Sequence, residues 1–200
     1  MAEKKRVIIG ITGASGTLLG IRMLELLRPV EEVETHLVMS PAATRTMLIE
    51  TDYTAEQVQG LADVVHSFKD IGASIASGSF KAEGMIIAPC SVKTMGALAS
   101  CLTDDLISRA ADVCLKERRR VVLMFRETPL HAGHIRAMAD VTASGAIVMP
   151  AVVGLYYKPA SVMEMIDHLA GRALDLLGID AGTVRRWQGQ PGKPSEGDVK

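Results

Sequence analysis

The aliphatic residues of this chain fall into short unbroken runs, and between the runs they recur at helical spacing. Arg6 is polar, and the residues from Val7 to Ile11 form an apolar, largely β-branched run. A run of that length between turn signals predicts a strand buried on both faces. Similar runs predict strands over Glu34 to Met39, Gly84 to Ala88, Val121 to Phe125 and Ala146 to Met149, with a weaker candidate over Val64 to Phe68. Pro89-Cys90-Ser91 is expected to break the third of these.

The intervening segments carry helix signals. Leu18, Ile21, Leu24 and Leu27 place one apolar side on a helix from Thr17 to Leu27, ended by Pro29. Ser40-Pro41 is a cap followed by a first-turn proline, opening a helix to about Glu50. Thr54-Ala55-Glu56-Gln57 is a capping box for a short helix to Ala62. Further helices are predicted from Lys93 to Ser100, after Asp104 as cap, and from His134 to Asp140. The last runs from Val162 to Leu177, with Gly178 closing it. Strand and helix alternate throughout, so the fold class is α/β. A Rossmann-like or flavodoxin-like three-layer sandwich with a mostly parallel sheet is expected. Residues 1–187 read as one domain, and 188–200, QGQPGKPSEGDVK, as a flexible tail with little to bury.

Composition narrows the function classes. The 200 residues are 48% hydrophobic with 18 Gly, enough for an ordered aliphatic core without disulfides or metal. The formal charge of −1 gives no long-range attraction to nucleic acid or an anionic membrane. Cys90, Cys101 and Cys114 are odd in number and widely spaced, which favours a reducing compartment, and a cytoplasmic location is expected. No stretch reaches the roughly 18 apolar residues of a membrane span. The opening MAEKKR lacks the apolar core of a signal peptide.

The chemistry starts at the first turn, Gly10-Ile11-Thr12-Gly13-Ala14-Ser15-Gly16. Glycine lets a ligand approach the backbone, and amides at a helix start attract an anion, so the turn reads as a phosphate cradle. The alternative is a plain tight turn. The spacing is not the dinucleotide fingerprint, and the second strand ends in Ser40 rather than an acid. Ligands of an open parallel sheet sit beyond the strands' carboxyl ends. Those ends carry Gly13, Ala14 and Ser15; Ser40; Ser91, Lys93 and Thr94; Arg126 and Glu127; and the loop with Tyr156 and Lys158. Hydroxyls, Lys93, Arg126 and Arg172 suit one or two phosphates, and Glu127 suits proton transfer near a departing anion. His131 and His134 lack a matching ligand cluster, so no metal is expected. Cys90 reads as a small buried residue rather than a nucleophile.

Jointly the motifs GITGASG, ETHLVMS, ETD, ASGSF, APCSVKT, RAADVCLKERR, RETPLHAGH and RWQG span nearly the whole chain. They resemble the flavin prenyltransferases, the UbiX-like proteins once called 3-octaprenyl-4-hydroxybenzoate carboxy-lyases. That resemblance implies an enzyme joining a dimethylallyl group from dimethylallyl phosphate to N5 and C6 of reduced FMN, without metal. The prenylated FMN then serves a partner UbiD-type decarboxylase in ubiquinone or aromatic-acid metabolism. It also implies a homododecamer in which subunit contacts help complete the site.

By the resemblance, Gly13, Ala14, Ser15, Ser40, Ser91, Val92, Lys93, Thr94 and Arg126 contact FMN. Tyr156, Arg172 and Lys116 bind the prenyl phosphate, with Lys116 also acting on it. Glu127 delivers a proton there, and Ser15 with Glu50 lies near the flavin N5. Where many relatives read P-P-x-P-A-F-Y, this chain reads Pro150-Ala151-Val152-Val153-Gly154-Leu155-Tyr156. The altered loop bears on the prenyl donor more than on the flavin. Two rivals remain: a flavin-dependent decarboxylase of the peptidyl-cysteine type, which calls for a catalytic histidine, and a non-enzymatic flavin carrier. The carrier would have no use for Glu127, Arg172 and Lys116 together.

Overall fold

The structure, a computed structural model, describes residues 4–189. Most of the expected tail, residues 190–200, lies outside the described residues. Six strands, β1 (Lys5–Ile11), β2 (Val33–Met39), β3 (Val64–His66), β4 (Gly84–Cys90), β5 (Arg120–Phe125) and β6 (Ile147–Val148), form one sheet. Every pairing is parallel, and the order is β3-β2-β1-β4-β5-β6. This is the doubly wound order, in which the chain reverses direction of travel between β1 and β4. A crevice must open there, because the loops after these two strands leave toward opposite faces.

The central strands carry the sheet because both of their faces are apolar. All seven residues of β4 are buried, as are Val7 to Ile11 of β1. Val7, Ile9 and Ile11 pack with α1 (Leu18–Leu27) and α7 (Val162–Asp175) in one core. Ile8, Met85 and Ile87 face the other core, with α4 (Val92–Ala99), α5 (Leu106–Lys116) and Val141 of α6 (Ala132–Ala143). The layers are therefore helix, sheet, helix. The remaining helices are α2 (Pro41–Glu50) and α3 (Ala55–Gln59). Arg22 of α1 fastens α7 through Asp167, Nε to Oδ1 at 2.5 Å.

Several helix ends follow the sequence signals closely. The Ser40 hydroxyl accepts from the Ala43 amide at 3.0 Å, with Pro41 as first helical residue. Thr54 and Gln57 close a capping box. Gly178 takes a positive φ of 78° after α7.

Three boundaries need correction. Asp105, not Asp104, caps α5, because its carboxylate reaches the Ser108 amide at 2.9 Å while Ser108 reaches back. Strand β4 runs through Pro89 to Cys90, with an irregular register against β5 where the break was expected. Helix α6 starts before His134, because the His131 side chain caps it by accepting from Gly133. Among the described residues no helix is long and apolar enough to cross a membrane.

Candidate functional site

A cleft of about 560 Å³ opens over the carboxyl ends of β1, β2, β4 and β5. That volume lies within the usual range for small-molecule sites. Its lining includes Gly13, Ala14, Ser15, Ser40, Ser91, Val92, Lys93, Thr94 and Arg126, so all nine residues expected at FMN meet in one place. Glu127 lines it as well.

Local chemistry explains how these residues are held. Thr12 is buried and stitches β1 to β4: its hydroxyl donates to the Pro89 carbonyl at 2.7 Å and accepts from the Ser91 amide at 2.8 Å. Ser40 leaves β2 by donating its amide to Ile11 at 3.0 Å. Ser91 caps α4 through the Thr94 amide at 3.3 Å, and the Ser91 and Thr94 hydroxyls lie 3.1 Å apart. Helices α2 and α4 thus both begin at the cleft. The Ala43 and Thr94 amides go to the Ser40 and Ser91 caps, and the remaining first-turn amides, of Ala42, Val92 and Lys93, have no partner within the helix and suit an anion. Gly13 is required for packing: a Cβ there would overlap the Cβ of Ala42, with the Ala42 carbonyl carbon 3.2 Å away.

The lining charges are Lys93, Arg126 and Arg45 against Asp105 and Glu127. This donor set fits a phosphorylated flavin: hydroxyls, helix amides and two strand-end cations for the phosphate, and apolar walls from Ala14, Val92 and Phe68 for a ring. Arg45, Phe68 and Asp105 escaped the sequence reading. Arg45 could have been found, since it lies four residues after Pro41 and so shares the helix face that starts at the cleft. Phe68 arrives from an irregular segment whose path only the fold reveals. The Leu106 amide donates to its carbonyl at 2.9 Å.

The first turn behaves differently from the expected phosphate cradle. The amides of Gly16 and Thr17 donate to the Glu50 carboxylate, at 2.9 and 3.2 Å to Oε2. The anion attracted to this helix start is the protein's own. Burial works to raise the Glu50 carboxyl, but hydrogen bonds from Ser15, Gly16 and Thr17 outweigh it and hold the group below its ordinary range. Glu50 therefore takes the amides of the turn, and Ser15, not Glu50, lines the cleft.

Lys116, Tyr156 and Arg172 are not brought to this cleft by the same chain. Helix α5 starts at the cleft with Asp105 and carries Lys116 about 16 Å away, at the opposite edge of the sheet. There Lys116 pairs with Glu117. Tyr156 bonds through its hydroxyl to His168 Nε2 at 3.3 Å and to the Arg185 carbonyl at 3.2 Å. Arg172, one turn beyond His168, donates to Asp175 at 2.9 Å, and Arg186 shares that carboxylate. Tyr156 and Arg172 thus belong to one neighbourhood, half-exposed and lined by arginines. His168 is buried there; burial and then the Arg172 charge hold its imidazole below the ordinary range.

The other constellations carry no chemistry. Cys90 is fully buried, and burial pushes its thiol up to about 12, so it is no nucleophile. The rings of His131 and His134 stack at 3.7 Å. Among the described residues no group of three or more metal-ligating side chains exists.

Known proteins match this arrangement. A family model described as "Flavoprotein" covers residues 1–175. The flavin prenyltransferase UbiX of Escherichia coli K12 is 50% identical over 187 residues, 92% of this chain and 99% of that protein. The crystal structure of AnUbiX in complex with FMN and dimethylallyl pyrophosphate superposes with a TM-score of 0.92 at 50% identity, covering 94% of this chain and 100% of that one. A dodecameric FMN-dependent UbiX-like decarboxylase from Escherichia coli O157:H7 gives 0.90 at 43% identity, covering 92% of this chain and 100% of that one.

Proposed function

The chain belongs to the UbiX-like flavin prenyltransferases, and from that premise we propose that it transfers a dimethylallyl group to N5 and C6 of reduced FMN, yielding prenylated FMN. The observation that carries this reading is the convergence of nine expected flavin contacts on one cleft, with Glu127 beside them. Reduced FMN supplies the nucleophilic N5 and an electron-rich ring against which allylic positive charge can develop.

The chain's own residues do the rest. Amides and hydroxyls at the starts of α2 and α4, with Lys93 and Arg126, hold the flavin phosphate and so fix the ring's position. Phosphate is a poor leaving group until its charge is neutralised. Arg172 and Lys116 supply fixed positive charge, Tyr156 a hydroxyl, and Glu127 a proton. Ser15 and Glu50 form the proton path at the N5 side. Exclusion of water from the cleft keeps the allylic fragment from being trapped as an alcohol.

Helix α5 carries Lys116 a helix length from its own start at the cleft, and neither Tyr156 nor Arg172 lines that cleft, so we assign Lys116, Tyr156 and Arg172 to the clefts of neighbouring copies in a homododecamer. The dodecameric relative supports that assembly. The prenyl donor we assign is dimethylallyl phosphate; the similar structure contains the pyrophosphate, and the assay compares the two. The product serves a UbiD-type decarboxylase, and a cytoplasmic site suits both reduced FMN and three unpaired cysteines.

The test is product analysis. Reduced FMN with dimethylallyl phosphate should give a flavin heavier by one five-carbon unit, with phosphate released, and the extract should activate a UbiD-type decarboxylase. Flavin of unchanged mass, with the decarboxylase inactive, refutes the assignment. Faster turnover with the pyrophosphate would reassign the donor alone.

A further inference from the structure

Helix α1 begins without a side-chain cap of its own. Thr17 stands at its N-cap with helical backbone angles, and its hydroxyl bonds none of the helix's amides. The cap comes from the far end of α2 instead. Glu50 Oε2 accepts from the Gly16 amide at 2.9 Å, the Thr17 amide at 3.2 Å and the Thr17 hydroxyl at 3.0 Å. Oε1 receives the long branch of the Gly16 contact, at 3.2 Å. Hydrogen bonding by Ser15 also helps hold this carboxyl below its ordinary range. Two hydroxyls therefore act on Glu50 from either side of Gly16. Ser15 lines the cleft, while Thr17 is fully buried in the core.

A carboxylate offers about four lone-pair sites over two oxygens. Three donors on Oε2 more than fill its share, and Oε1 keeps capacity. We propose that Thr17 is a positioning residue for Glu50: its buried hydroxyl anchors Oε2, so that Oε1 is the oxygen that exchanges a proton with Ser15. In that exchange Ser15 gives its hydroxyl proton to Oε1 and takes one from the cleft, so the serine ends unchanged and Glu50 ends protonated. This rests on the reading of Glu50 and Ser15 as the proton path beside the flavin.

The position of Thr17 explains why the anchor is firm. A fully buried hydroxyl has no water to turn to, so its bond to the carboxylate is not traded for solvent. The two amides that join it are fixed by the turn and the helix start. Together these donors, with Ser15, offset the burial of the carboxyl and favour its ionised form, with no neighbouring charge of comparable weight.

The test separates the anchor from the catalysis. In the full-length FMN-free protein, the Glu50 carboxylate band is isolated by difference infrared titration against Glu50→Gln. Thr17→Val should raise its midpoint by about one pH unit. Thr17→Ser should leave it in place. Thr17→Ala, which adds no bulk at the helix start, repeats the measurement should valine crowd the core. A midpoint unmoved in both valine and alanine variants overturns the proposal. With reduced FMN and dimethylallyl phosphate added, the acid limb of kcat/KM should move up with the midpoint, and serine should restore it. A midpoint that moves while the acid limb stays leaves the Thr17 anchor standing and removes Glu50 from the proton path.

Discussion

Gly13→Ala is the sharpest probe of how the cleft is built. The substitution adds one methyl group where the turn after β1 meets the first turn of α2. That methyl would overlap the Ala42 Cβ, with the Ala42 Cα 3.3 Å and its carbonyl carbon 3.2 Å away. None of these atoms is the free end of a flexible side chain, so the turn and α2 must move apart. Overpacking of this kind costs about 1–3 kcal/mol. For a chain of this length that lowers Tm by roughly 2–12 °C.

The same displacement separates Ser15 from Ser40, two walls of the cleft, so FMN binding should weaken by about 2- to 12-fold if half the strain is relieved only in the free protein. The assay is flavin fluorescence titration beside thermal melting. Gly13→Ala/Ala42→Gly removes the overlapping atom from the other side. It should recover most of the affinity, less the cost of about 1 kcal/mol or below for glycine in a first helical turn. If Gly13→Ala binds FMN and melts as the parent does, the packing argument is wrong. If the double variant fails to recover, the loss arises from something other than this contact.

Three further outcomes are expected. Glu127→Gln should slow turnover by about 10²–10⁴-fold while FMN still binds, and full turnover would remove its proton-transfer role. Arg172→Ala should raise KM for the prenyl donor by about 10–100-fold, with little change in FMN affinity, and equal loss of both in binding titrations would contradict that division. The Asp63 carboxylate ties β3 to β2 through the Thr35 amide at 2.8 Å and hydroxyl at 2.9 Å. Burial acts to raise this carboxyl, but the Thr35 bonds outweigh it and hold it low. A depressed carboxyl stabilises the fold above its ordinary range and loses that contribution as pH falls through the folded-state value. Asp63→Asn should therefore melt earlier at pH 7, by no more than about 1 kcal/mol at this open site, and the gap should close in acid. A gap independent of pH would refute the linkage.

Local chemistry written in the residues determined the skeleton of this protein. Runs such as Val7 to Ile11 are strands because every position is apolar, and Ser40, Thr54 and Gly178 punctuate helices because their side chains or φ preferences act over a few residues. The cleft lining was legible for the same reason: parallel strands deliver the residues that follow them to one edge, so Gly13, Ser40, Ser91 and Arg126 could be grouped without coordinates. Tertiary structure alone decided what spans distance. The amides after Gly13 were read as a cradle for a ligand, yet Glu50, 34 positions beyond Gly16, already takes them. Phe68 and Asp105 entered the site because an irregular segment and a helix start happen to pass over it. Lys116 left it because a helix must advance about 1.5 Å per residue and cannot fold back. Sequence spacing governs contacts that close within a turn or two of chain, whereas contacts between distant segments depend on how whole layers pack.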